Sequence, residues 1–222
     1  SPFHLIAISE NLKKKITNYW KYKNIKIDVL HDAYRTLNNV KLVDKTLFDF
    51  CYSGQLFENK GINVIIKVAK LFPKKKFLII GGRKELVKKY KNISKKLKLK
   101  NIKFTGFLSP IKTGKYIEIS KILLLPQIDE TAESPLKLFE YLSYGKPIFA
   151  SGTKPIKEIL KNKKNALLFN PGDINGLKRL ILSYFDDNKL LKSLSKNAKK
   201  ESTKYTWDER TKKLIKIMNK IR

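Results

Sequence analysis

Between residues 48 and 169, short unbroken apolar runs alternate with amphipathic stretches. No other feature of the chain restricts its fold so strongly. The runs are Phe48–Ser53, Phe77–Ile80, Ile102–Thr105, Ile122–Leu125, Pro147–Ala150 and Ala166–Phe169. Between them lie segments of helical spacing at Gly61–Leu71, 84–97, Pro110–Ser120, Pro135–Ser143 and the turn Ile156–Leu160. Within Gly61–Leu71, for example, Ile65, Val68 and Leu71 fall on one face. Strands buried on both faces read as continuous apolar runs, whereas half-exposed strands alternate. The pattern therefore predicts a parallel sheet with helical crossovers, an α/β doubly wound domain. Ligands of such sheets bind beyond the carboxyl ends of the strands. The loops expected to carry function are then 54–61, 81–83, 105–108, 126–134 and 151–154. Ahead of this core, His4–Ile8 and Lys26–Leu30 read as strands around a helix that Ser9 caps and that runs to about Trp20. Residues 31–45 read as a polar linker, and helices over 173–187, 189–201 and 207–221 complete the chain.

Composition removes several function classes. At 222 residues and 42% hydrophobic, the chain can bury a substantial core and is neither disordered nor fibrous. No apolar run approaches the ~18–20 residues of a membrane-spanning helix. A single cysteine, Cys51, excludes a disulfide framework or a cysteine-rich zinc site, and it is expected to be inert packing inside a strand. Two histidines, His4 and His31, exclude a His-rich metal centre. No leader peptide is apparent, so a cytoplasmic location is expected. The net charge of +30 suggests a polyanionic partner, but only five of the 49 basic residues are arginine. Nucleic-acid readers favour the planar guanidinium fork. The lysines are also spread over the whole chain rather than gathered in one stripe. Peripheral contact with an anionic membrane face fits such a surface better than nucleic acid does.

Chemistry concentrates in the segment from Leu125 to Tyr141. Ser134 suits an N-cap and Pro135 the first helical position. The unsatisfied amides of such a helix start, together with its dipole, favour an anion, and Lys137 adds a full charge. A phosphate or diphosphate fits better than a neutral ligand. Glu140, among Leu136, Leu138 and Phe139, is costly to bury unless it accepts hydrogen bonds, as the vicinal hydroxyls of a ribose would supply. The ordinary alternatives are a plainly capped helix and a rim glutamate bridged to lysine. In the loop from Gly54 to Gly61, Gly54 permits close approach and Lys60 can reach an anion. Gly81-Gly82-Arg83 and Thr105 to Leu108 are further strand-end loops, also readable as plain turns. Asp129, Glu130 and Glu133 form an acidic cluster without His or Cys. His31 and Asp32 read as turn residues, and Trp207 as an anchor of the last helix on the core.

Taken in order, these segments resemble the C-terminal, nucleotide-sugar-binding half of a GT-B glycosyltransferase of family 4, with its Rossmann-like fold. The resemblance rests on Gly54 through Gly61, Asn101 through Gly106, Leu124 through Pro126, Ser134 through Tyr141 and Gly145 through Ser151. Leu167 through Asp173 and Tyr205 through Asp208 match the closing segments. Ile6 through Ser9 and Val29 through Asp32 are similar to the stretch joining the two halves, so residues 1–45 would be a remnant of that stretch packed on a nucleotide-sugar domain of residues 46–222. The resemblance implies a retaining hexosyltransferase that uses a UDP- or GDP-linked sugar in building a surface polysaccharide or lipid-linked glycan. It implies no cofactor and no metal. Gly54, Gln55 and Lys60 would meet the donor diphosphate, as would Ser134, Pro135, Leu136 and Lys137 at the helix start. Glu140 would hold the ribose. Gly82, Arg83, Phe107 and Leu108 would surround the base.

Two departures from the family stand out. Gln55 replaces the loop arginine. Ala132 stands where the first of two glutamates spaced eight positions apart is expected, with Glu133 one residue off as the candidate for the donor sugar. Lys60 and Glu133 are therefore the catalytic candidates. The acceptor domain would lie outside this chain, in a partner or a longer protein. Two other readings stay open: a non-catalytic basic module docking on nucleic acid or anionic membrane, and half of an epimerase or phosphorylase of the same architecture.

Overall fold

The computed structural model describes residues 4–19, 25–34, 46–129 and 134–220. In chain order they form β1 (His4–Ala7), α1 (Glu10–Tyr19), β2 (Lys26–Val29), β3 (Phe48–Ser53), α2 (Ile62–Leu71), β4 (Phe77–Ile80), α3 (Lys84–Lys96), β5 (Ile102–Gly106) and α4 (Pro110–Glu118). There follow β6 (Ser120–Leu125), α5 (Leu136–Tyr144), β7 (Ile148–Ser151), α6 (Lys154–Ile159), β8 (Leu167–Phe169), α7 (Ile174–Tyr184), α8 (Asn188–Ser202) and α9 (Trp207–Asn219). The expected doubly wound α/β class is observed. Six parallel strands run in the order β5-β4-β3-β6-β7-β8. The chain winds outward from β3 in one direction, then returns to start β6 beside it and winds the other way. Between β3 and β6 the order reverses, and a crevice opens at their carboxyl ends.

The apolar runs are buried on both faces, as continuous runs require. In β3, Phe50 and Tyr52 face a layer containing Ile62, Ile65 and Val68 of α2, Tyr90 of α3 and Leu177 of α7. Cys51, between them, faces the opposite layer of Ile117, Leu138, Tyr141, Leu142 and Ile156. Burial of Cys51 raises its thiol to about 12, so it is inert packing as expected. Tyr141, fully buried, accepts a hydrogen bond from the Ser53 amide at 2.7 Å, which fixes α5 to the end of β3.

β1 and β2 pair in parallel as a separate two-stranded sheet with α1. Ser9 caps α1 as expected, accepting from the Leu12 amide at 2.9 Å. Glu158 of α6 adds a second cap, accepting from the Glu10 and Asn11 amides at 2.9 and 2.8 Å and lying 3.0 Å from His31 Nε2. Arg210 of α9 donates to the carbonyls of Leu30 and His31. His31 thus belongs to a contact between this small sheet and the large one, more than a turn alone provides. Residues 35–45 of the expected linker lie outside the described residues.

Trp207 corrects an expectation. It is 55% exposed at the start of α9 and does not anchor that helix. The anchor is Tyr205, whose ring lies 5.0 Å from that of Phe139. Thr206 takes the N-cap and its side chain accepts from the Glu209 amide, so Trp207 is the first helical residue and turns outward.

Candidate functional site

A cavity of about 350 Å³ lies at the crevice between β3 and β6. Tyr52, Gly54 and Gln55 line it from the end of β3, Leu125 and Gln127 from the end of β6, and Ser134 to Lys137 from the start of α5. Lys60 closes it from the short 3-10 turn that precedes α2. Two glycines make this convergence possible. Gly61 holds φ +77°, and a β-carbon there would collide with the Pro126 carbonyl. Loop 54–61 can therefore lie directly on the segment following β6. Gly54 holds φ +138°, and a β-carbon there would collide with the ammonium of Lys137. The Lys137 side chain thus occupies the space that any other residue at 54 would fill.

The electrostatics of the cavity are unbalanced. The Lys137 ammonium sits 3.9 Å over the Tyr52 ring, whose hydroxyl donates to the Gln55 carbonyl at 2.6 Å. Loss of water first and the charge of Lys60 second, opposed by Glu140, together bring Lys137 from the ordinary 10.5 to about 7. Lys60 Nζ lies 3.5 Å from Gln127 Oε1, the outer limit of a hydrogen bond. Gln127, nearly fully buried, is held by its own Nε2 donating to the Asp129 carbonyl. Ser151 of β7 donates to the Leu125 and Gln127 carbonyls beneath it. The Ser134 hydroxyl is buried with no hydrogen-bond partner. Two ammonium groups and the open first turn of a helix therefore meet around one void. An anion with several oxygens satisfies all of them.

The helix start differs from expectation. Pro135, with ψ 92°, stays outside the helix as its N-cap, and α5 begins at Leu136. The Pro135 carbonyl accepts from the Leu138 amide at 2.7 Å. Ser134 is consequently one residue too far back to cap, which explains its unpaired hydroxyl. Glu140 lies one turn behind Lys137, half-buried, and lines neither this cavity nor the next. Burial raises its carboxyl and Lys137 partly offsets that. Glu133, like Glu130, lies outside the described residues. Asp129 accepts from Asn59 Nδ2 at 3.2 Å, joining the two loops.

A second cavity, about 650 Å³, runs between α3 and β5 and is lined by Gly82, Arg83, Thr105, Gly106 and Phe107 together with Lys84, Lys88 and Lys91. Phe107 stands 82% exposed on its rim. Leu108 instead packs half-buried on the layer around Cys51 and does not line this cavity. Tyr52 is not among the sequence candidates, and Leu125 and Gln127 lie in the candidate segment without being singled out. The alternation along β3 and the position just past β6 are the signals that point to them. Among the described residues, no three His, Cys, Asp or Glu side chains gather closely enough to hold a metal ion. No helix among them is long and apolar enough to cross a membrane.

The pattern of the glycosyl transferases group 1 family matches residues 34–201. This chain belongs to that family. An uncharacterized glycosyltransferase of Methanocaldococcus jannaschii is 26% identical over 206 residues, covering 92% of this chain and 56% of its own. The chitobiosyldiphosphodolichol beta-mannosyltransferase of Candida albicans is 24% identical over 237 residues, covering 92% and 50%. The chain thus spans about half the length of these relatives. Among solved structures, a glycosyltransferase from Rickettsia africae superposes with a TM-score of 0.83 at 17% identity, over 99% of this chain and 64% of that one. HepE of Anabaena, solved with UDP and glucose, gives 0.79 at 16% identity, over 96% and 62%. These structural neighbours share the GT-B fold of the group 1 family.

Proposed function

We propose that this chain is the donor-binding half of a retaining, family 4-like hexosyltransferase, the C-terminal half of a GT-B enzyme. The observation that supports this best is the switch-point cavity, where Lys60, Lys137 and the start of α5 face one another. A nucleotide diphosphate sugar supplies that anion. Its diphosphate would lie against Lys60, Gly54, Gln55 and the segment Ser134 to Lys137. Its base would extend toward the second cavity at Gly82, Arg83 and Phe107. Its ribose would lie between the two, and Glu140 would reach it only by a side-chain rotation out of its half-buried position. UDP is the favoured nucleotide, since HepE was solved with it.

Lys60 and the helix start would stabilise the charge that develops on the leaving diphosphate, which makes them the main source of rate enhancement. Glu133 would face the donor sugar, where it would position the transferred group. No metal or other cofactor takes part in this reading. The acceptor, a glycan or lipid-linked glycan in surface polysaccharide synthesis, would bind a second domain or a partner chain. That domain would place the enzyme at the cytoplasmic face of the membrane. Calorimetric titration with UDP, GDP and ADP tests the donor site. Binding of one of them is expected, and no binding of any at millimolar concentration would refute the reading. Retention is tested separately by the anomeric configuration of the product made by the two-domain enzyme.

A further inference from the structure

Gln127 follows Pro126 just past the end of β6, and it lines the switch-point cavity although it is only 2% exposed. A buried side-chain amide must find partners for both its donor and its acceptor ends. Both ends are engaged here. Nε2 donates to the Asp129 carbonyl at 3.2 Å. That bond leaves Oε1 as the atom facing Lys60, whose Nζ lies 3.5 Å away. The backbone is fixed as well, because the Gln127 carbonyl accepts from the fully buried Ser151 hydroxyl. Gln127 therefore presents a single acceptor to the ammonium from a firmly held position.

Lys60 has use for such a partner. Its flexible stem lets the ammonium sample many directions, and only a few of them face the cavity. The turn that carries it is tied to the segment after β6. The Ile128 amide donates to the Asn59 carbonyl at 2.9 Å, Asn59 Nδ2 donates to Asp129 Oδ2 at 3.2 Å, and Gly61 lies against the Pro126 carbonyl. These contacts bring the stem of Lys60 to the cavity, and Gln127 takes hold of its end. The acceptor is an amide, not a carboxylate. A carboxylate at that distance would neutralise Lys60 and compete with any anion for it. An amide oxygen directs the ammonium and leaves its charge available. At 3.5 Å the bond is also long enough to yield to anionic oxygens.

We propose that Gln127 is a positioning residue for the donor: as a neutral acceptor it aims the Lys60 ammonium into the cavity and so sets the affinity for the diphosphate. The inference rests on the donor-site reading above and adds to it the group that orients one of the two cations. Gln127 acts through Lys60 and not by touching the diphosphate itself.

The test uses the full chain, with UDP as the probe and two variants. Gln127→Met keeps the length and bulk without an acceptor, whereas Gln127→Glu keeps an acceptor and adds a charge. Both lose the bond to the Asp129 carbonyl, so the difference between them reads the atom facing Lys60. In the protein without nucleotide, NMR of the nitrogen-labelled Lys60 ammonium should show wider motion in Gln127→Met than in the wild type. Calorimetry should give a UDP affinity lower by about fivefold in Gln127→Met, the worth of one ordinary hydrogen bond. In Gln127→Glu it should fall by more than about tenfold, because the carboxylate competes for Lys60. Gln127→Met carries the test if the buried carboxylate prevents folding. Equal motion of Lys60 in the wild type and Gln127→Met overturns the inference. So does an unchanged UDP affinity in Gln127→Met, or a Gln127→Glu chain that binds UDP as tightly as the wild type. A wild type that binds no UDP at millimolar concentration overturns the donor reading itself, and this inference with it.

Discussion

Lys137 provides the most exacting test of the donor site. Its ammonium is held near neutrality by burial first and by the facing Lys60 second, with Glu140 acting in the opposite sense. The Tyr52 ring 3.9 Å away returns part of the lost solvation. A folded-state value of about 7, against the ordinary 10.5, means that the free protein sheds this proton just where most assays are run. A bound diphosphate reverses the situation by replacing water with anionic oxygens, so the complex keeps the proton. Affinity then follows the charged fraction of the free protein. That fraction is about 0.9 at a pH one unit below the folded value and about 0.1 one unit above it, so affinity for UDP-glucose should fall roughly tenfold between about pH 6 and pH 8. The diester phosphates of UDP-glucose hold a fixed charge across that range, so the titration reports the protein. At about pH 8 binding should take up close to one proton, seen as a dependence of calorimetric enthalpy on the ionisation enthalpy of the buffer. Lys137→Met should bind weakly and lose both effects. A flat affinity profile in the wild type, or the same slope in Lys137→Met, would refute the reasoning. The linkage to stability has its own sign. Between about 7 and 10.5 the unfolded chain binds more protons at this site than the folded one, so the Lys137 contribution to stability rises with pH across that window. Glu140, whose carboxyl is raised, works the other way at lower pH: its contribution falls as pH rises from the ordinary carboxylate value toward the folded one.

Other parts of the framework make sharper stability predictions. Tyr141→Phe leaves the Ser53 amide, buried at the end of β3, without its 2.7 Å acceptor, and urea unfolding should show a loss of about 1–3 kcal/mol. A loss under about 0.5 kcal/mol would mean that water reaches that amide. Gly61→Ala places a β-carbon against the Pro126 carbonyl at φ +77°, and the left-handed backbone alone costs an alanine about 1–2 kcal/mol. The melting temperature should fall, and nucleotide binding with it, because Lys60 is displaced; an unchanged melt would contradict the geometry. Glu158→Gln removes the charge and one of the two oxygens that accept from the Glu10 and Asn11 amides. Hydrogen exchange at Glu10 and Asn11 should quicken by a few-fold, the effect of about 0.3–1 kcal/mol at a helix terminus. Protection unchanged in that variant would show that Glu158 does not hold the start of α1.

The sheet could be read from the sequence because burial on both faces leaves a signal in every residue of a strand. Phe77–Ile80 was expected and is observed with the same ends, and β3 likewise. The errors lie where one dihedral decides. Nothing local distinguishes Pro135 as the first helical residue from Pro135 as the cap, and its ψ of 92° leaves it outside the helix. Trp207 reads as an anchor because large aromatics usually are buried, yet the cap at Thr206 turns it outward and gives the contact to Tyr205. Family resemblance drew Gly54, Lys60, Ser134 and Lys137 together, and the structure does bring them to one cavity. It gave no hint of Tyr52, which resembles any core aromatic until the ammonium over its ring is seen.

That ammonium also explains why the cavity is built from residues so far apart in the chain. An unpaired lysine behind a helix start is unfavourable wherever water is excluded. It is tolerated here because Gly54 yields its side-chain volume, Tyr52 supplies a π face, and Tyr141 locks α5 to β3 so that neither can move away. Each of these lowers the cost of a charge that the fold alone does not need. A buried lysine whose proton an anion would hold in place, at the one point where the strand order reverses, is arranged for a ligand that brings the opposite charge.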